Sequence, residues 1–255
     1  MIRTSNPALN DNTFKQTSHL RVDDQRMTIE GTVNKTGILL TILSISAYYS
    51  WNQSLQLSST NGLETVFQPS PYLWIAGIGG FITAIITVFK KTWSPITAPI
   101  YALFEGFFLG AISAGFEYRY PGIAFQSIAL TFGTLFALLI AYRSGVIKAT
   151  ENFKLGIVAA TGGIFLIYLV GFIMSFFGAG IPYIHESGLI GIGFSLVVVV
   201  IAALNLVLDF DFIENGERSS APKYMEWYAS FGLLVTLVWL YMEILRLLAK
   251  LRSRD

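Results

Sequence analysis

Seven long apolar runs alternate with polar connectors along this chain of 255 residues. Read in windows of about 19 residues, the length that crosses a bilayer as a helix, they predict spans at 37–51, 72–89, 98–116, 123–142, 155–177, 188–208 and 231–249. The first is short but closes on Tyr48, Tyr49 and Trp51, aromatic residues of the kind that settle at headgroup level. Only one connector, about 52–71, is long. The first 35 residues are polar and mixed in charge, and no apolar core follows closely behind Met1, as a secretory signal would require. The expected organisation is a polar cytoplasmic tail (1–35), a seven-helix transmembrane domain (36–250) and a short basic tail (251–255). The fold class is therefore an all-α polytopic membrane protein.

Composition agrees with this pattern. The chain is 53% hydrophobic and 13% charged, against about 25% charged in a soluble domain, and its mean hydropathy is +0.58. One globular core cannot hide that much apolar surface, so the surplus faces the lipid bilayer. A net charge of +1 and the lack of a basic patch interleaved with aromatics argue against nucleic-acid binding. The absence of cysteine excludes disulfides and thiolate chemistry, and His19 and His185 are too few and too far apart for a His-rich zinc site. Lys90, Lys91, Arg143, Lys148, Lys154 and the basic residues of the tail fall on one side if the N-terminus is inside, with only Arg119 in the opposite loops. Arg246, Lys250, Arg252 and Arg254 run against that rule. Either the last segment does not fully cross, or the earlier loops set the topology.

The chemistry concentrates in acids within or beside the spans, which are costly in a membrane and are kept where they hold an ion, a proton or a basic partner. The sixth run ends in Asn205-Leu206-Val207-Leu208-Asp209-Phe210-Asp211-Phe212-Ile213-Glu214. Asn205 and Asp209, four apart, share one helical face; Asp211 and Glu214, three apart, share another, nearly opposite. Asp209 is thus the interior candidate, and Asp211 and Glu214 are expected at headgroup level beside Lys223 or Arg218. Glu105 lies a third of the way into the third span and is either protonated or paired with a polar group on another helix. Glu243, in the last span, has Arg246 three residues on and forms a local salt bridge with it, unless Glu243 or Thr236 meets Asp209 across the bundle. No enzyme signature is present: Ser195 has no following Gly and no His in a facing span to act as base, and no phosphate loop occurs.

Several segments together resemble the transmembrane Bax-inhibitor-motif family, in particular its bacterial members. Tyr101-Ala102-Leu103-Phe104-Glu105-Gly106-Phe107-Phe108-Leu109-Gly110 is similar to its third-span pattern, and Leu130-Thr131-Phe132-Gly133-Thr134-Leu135-Phe136 to its fourth. Leu208-Asp209 resembles the Tyr-Asp ending the sixth span, and Leu245-Arg246-Leu247-Leu248 the closing segment. The stretches 5–11 and 27–36 look typical of one prokaryotic branch. The resemblance implies a last helix central in the bundle and a pair of acids, on the sixth and seventh spans, that senses pH and gates a calcium leak. Asp209 matches the first acid. Aligning on Leu245-Arg246-Leu247-Leu248 puts Thr236 at the second position, whereas aligning on Leu240-Tyr241-Met242 puts Glu243 there. The expected function is a pH-sensitive calcium leak channel of the inner membrane. Its gate is Asp209 with Glu243 or Glu105, calcium or protons are the transported species, and no cofactor is needed. The rival is a regulatory protein without transport, such as a modulator of a membrane-bound protease.

Overall fold

The computed structural model describes residues 26–58, 64–68, 70–178 and 188–254; His19, His185 and the tail up to residue 25 lie outside them. Among the described residues, seven α-helices run alternately up and down: α1 (Ile29–Ser54), α2 (Leu73–Phe89), α3 (Ser94–Arg119), α4 (Ile123–Arg143), α5 (Glu151–Phe176), α6 (Leu189–Arg218) and α7 (Met225–Arg252). Five stretches, Lys91–Arg119 and the helices α4 to α7, are long and apolar enough to cross a membrane; α2 is apolar but shorter. The chain is a multi-pass membrane protein.

Two departures from the hydropathy reading have local causes. Helix α1 starts at Ile29, eight residues before the predicted span. Thr28 caps it by accepting the Gly31 N–H at 2.9 Å, and the Thr32 and Thr36 hydroxyls donate to carbonyls one turn back. The polarity that hides this turn from a hydropathy window is satisfied within the helix itself. The long connector holds an antiparallel hairpin, β1 (Leu55–Ser58) with β2 (Glu64–Phe67), in register Leu55 opposite Phe67. Phe67 stacks on Tyr118 of α3 and seats the hairpin on one end of the bundle.

Helix α7 occupies the centre. It packs on α1, α3, α4 and α6, while α2 lies against α3 and α5 against α6. Its inward positions, Leu233, Leu237, Leu240 and Ile244, join Ala202, Leu206 and Phe210 of α6 in the main core. It is helical through Arg252, so the last segment does run the full height of the bundle and ends at the hairpin end. There Arg252 donates to the Pro121 carbonyl at 2.6 Å, while α1, α3, α5 and α7 all begin at the opposite end, where Ser94 donates to the Tyr224 carbonyl.

Helices α1 and α3 meet backbone to backbone. A Cβ placed on Gly106 or Gly110 would overlap the Leu43 or Ala47 backbone, so the spacing of four between these glycines is a backbone-to-backbone seam. The turn into α4 needs Gly122 for a different reason: its φ of 83° is left-handed, a conformation that carries no steric cost only for glycine.

Candidate functional site

Buried polar groups gather along the contact of α5, α6 and α7. Asp209 lies in α6 about nine residues before its end, its carboxyl beside Thr236 of α7, whose hydroxyl donates to the Gly232 carbonyl at 3.3 Å. Its Oδ2 is buried and has no hydrogen-bond partner among the described residues. One turn earlier on the same face, Asn205 donates from Nδ2 to the Thr161 hydroxyl of α5 at 2.8 Å and to the Ile201 carbonyl at 2.8 Å.

Seven residues beyond Thr236, about 10 Å along α7 at 1.5 Å per residue, a second group forms. The carboxylate of Glu243, 2% exposed, accepts from the Tyr168 hydroxyl at 3.0 and 3.1 Å and from Arg246 Nη1 at 2.8 Å. Arg246 also donates to the Tyr168 oxygen and lies over its ring. One turn further, Lys250 Nζ donates to the Gly191 carbonyl at 3.0 Å and to Ser195 Oγ at 2.8 Å. Thr161 and Tyr168 on α5, Thr236, Glu243 and Lys250 on α7, each seven apart, thus line one seam with Asp209, Asn205 and Ser195 on α6.

The helical phase assigned to the acidic run separates the acids as expected. Asp211 turns away from Asp209 and pairs with Lys154 of α5 at 2.8 Å, also accepting from Asn215. Glu214 accepts from the Tyr142 hydroxyl of α4 and pairs with Arg218. Lys223 is engaged elsewhere, 3.4 Å from Glu226. Glu105 is on the far side of α7 from the seam, in the α2–α3 contact, with Oε2 against Gly80. Of the three acids expected at one gate, Asp209, Glu243 and Glu105, the structure brings no two together. The group opposite Asp209 is Thr236, as the Leu245-Arg246-Leu247-Leu248 register requires.

Sequence reasoning passed over Tyr168, Thr161 and Glu226. Tyr168 and Thr161 lie in a run whose small and apolar neighbours give no sign of a polar face. Glu226, 0% exposed, pairs with Lys35 and accepts from the Thr28 N–H and hydroxyl at 2.9 and 3.0 Å, locking the start of α1 onto the start of α7. Among the described residues, no three His, Asp or Glu side chains gather as a metal site would need. A cation at Asp209 would have one carboxylate, with hydroxyl and carbonyl oxygens or water for the rest.

Comparison with curated proteins returned no match. The family model described as Bax inhibitor 1 like matches residues 6–253, nearly the whole chain, and this protein therefore belongs to the Bax inhibitor 1-like family.

Proposed function

We propose that this protein is a pH-sensitive cation leak of the inner membrane, with calcium as its cargo, the N-terminus cytoplasmic, and the Asp209 carboxyl as its gate. The observation that carries the reading is the buried Oδ2 of Asp209, which has no described partner although polar groups buried away from water are almost always bonded. A carboxyl held this way carries a proton when neutral and is a hard-oxygen cation ligand when ionised. The facing hydroxyl of Thr236 makes this a one-acid gate; the shared-proton pair of carboxylates is replaced by an acid and a neutral donor. The seam continuing through Asn205, Tyr168 and Ser195 supplies further oxygen and nitrogen groups along the bundle axis. Calcium flux into dye-loaded liposomes tests it. Wild-type flux varies with pH and that of Asp209→Asn does not; flux that ignores pH in both proteins, or an unchanged profile in the variant, overturns the gate.

A second reading, a non-transporting regulator of a membrane protease or other membrane protein, is favoured by one contact. Arg26 forms a β-bridge with Pro222, and the Met27 N–H donates to the Ala221 carbonyl at 2.7 Å. Whatever residues 1–25 bind is thereby connected to the α6–α7 turn. Residues 26–35 belong to the bundle, so the informative deletion stops at residue 25. An intact cellular phenotype in that deletion removes the regulatory reading.

A further inference from the structure

We infer that the bundle holds one acyl chain of a bilayer phospholipid in a lateral cavity between α1 and α4. Both helices pack on α3 and on α7, yet make no substantial contact with each other. The gap between them is a cavity of about 450 Å³, within the range of about 300–1,000 Å³ typical of small-molecule sites. Its α1 wall carries Leu40, Leu43, Ser44, Ala47, Tyr48 and Trp51, the stripe of one helical face. Leu237 and Val238 of α7 form the back, and Ile128 and Phe132 of α4 the other wall.

Three features commit the site to a lipid chain. The mouth is continuous with the lipid-facing surface, since Tyr48 and Phe125, both in its lining, are 71% and 76% exposed. The lining is overwhelmingly apolar, and its polar members are mostly already satisfied. Ser113 and the Tyr241 hydroxyl bond each other at 2.6 Å, the Thr131 hydroxyl donates to the Ser127 carbonyl, and Glu117 accepts the Ala124 N–H at the start of α4. An apolar occupant therefore strands little. These polar groups also lie toward the hairpin end, beside Tyr48 and Trp51, where an aromatic belt meets headgroups. A lipid thus enters with its headgroup at that level and one chain inserted toward Leu40 and Leu237.

The test uses the full chain in vesicles containing a phospholipid with a photoactivatable group on one acyl chain, and maps the crosslinked residues by mass spectrometry. Crosslinks concentrate on the lining, on Leu43 and Val238 above all, relative to outward positions such as Ile45 and Phe165. A distribution even over the lipid-facing surface overturns the proposal. A second measurement follows phospholipid retained by the detergent-extracted protein in native mass spectrometry. Ser44→Phe, which fills the cavity, lowers retention at least fivefold, whereas Ile45→Phe, 66% exposed and outside the lining, leaves it unchanged. Equal retention in the two variants overturns it. Should Ser44→Phe fail to fold, the wild-type crosslinking decides alone.

Discussion

Thr236 on α7 lies beside the Asp209 carboxyl on α6 and donates its hydroxyl to the Gly232 carbonyl at 3.3 Å, while one carboxyl oxygen of Asp209 is buried without a partner among the described residues. The pair is thus asymmetric: Asp209 has more hydrogen-bonding capacity than the bundle supplies, and Thr236 is the neighbouring helix's contribution to it.

That asymmetry predicts opposite effects from two isosteric changes. Thr236→Val removes the hydroxyl beside the carboxyl and leaves it poorer still, costing about 1 kcal/mol, the net contribution of one hydrogen-bonding group. Asp209→Asn keeps an acceptor for Thr236 and removes an acid from the apolar interior, so stability is unchanged or higher. Thermal unfolding in detergent measures both. A loss of stability in Asp209→Asn equal to that in Thr236→Val contradicts this reading of the pair.

At the opposite contact, Glu226 and Gly31 depend on each other. The carboxylate lies against the Gly31 Cα, and a Cβ there would collide with it. Gly31→Ala and Glu226→Ala are each destabilising, the second by about 3 kcal/mol because it strips a buried carboxylate from Lys35. The cost sits at the lower end of that range because the Lys35 side chain, 17% exposed, reaches water once released. In the double variant the truncated side chain at position 226 leaves room for the new methyl, so the two costs do not add. Full additivity in a double-mutant cycle refutes the contact.

How far the sequence foretold this structure depended on the physical range of each signal. Hydropathy is local and cumulative, so all seven helices were legible, with ends within a few residues for α2 and α4. It failed at residues 29–36, where Thr32 and Thr36 look like tail but lie buried against α7, with Ser230 donating to the Thr32 carbonyl. Helical phase, also local, separated Asp209 from Asp211 and Glu214. The register of α6 against α7 is a property of two helices packing, and neither carries it alone. Thr236 and Glu243 therefore remained alternatives until the helices were placed together. Tyr168 was invisible for the same reason, since its role exists only where α5 meets Glu243.

The seam between α1 and α3 makes a further prediction. Gly110→Val forces side-chain atoms into the Ala47 backbone and costs about 1–3 kcal/mol or more, as overpacking of a tight contact does. Gly133 on α4 has open space where its Cβ would be, so Gly133→Ala is neutral or stabilising, by up to about 1 kcal/mol. Comparable melting temperatures for the two variants remove the seam as a determinant of packing.

The ion pair of Glu243 and Arg246 is unequal in exposure, and that inequality sets the order of its mutational costs. The Glu243 side chain is 2% exposed and that of Arg246 36%. Removing Glu243 leaves a guanidinium that lines an open pocket at the hairpin end, still lies over the Tyr168 ring and extends its head to water along its own alkyl stem. Removing Arg246 leaves a carboxylate enclosed by helices, with the Tyr168 hydroxyl as its remaining hydrogen-bond donor among the described residues and the nearby Lys250 charge as partial compensation. A buried charge that loses its direct partner is the larger penalty, about 3 kcal/mol here, the lower end of the range for a broken buried pair, because the Lys250 charge is still nearby. Arg246→Gln is therefore the more destabilising substitution and Glu243→Gln the milder one, although the two delete the same salt bridge. Tyr168→Phe adds a further loss on the Arg246→Gln background, because the hydroxyl is then the carboxylate's last hydrogen-bond donor among the described residues. Thermal unfolding of the three single variants and the Tyr168→Phe/Arg246→Gln double variant resolves the order. A larger loss for Glu243→Gln than for Arg246→Gln would show that the arginine, and not the carboxylate, is the group the bundle cannot leave alone.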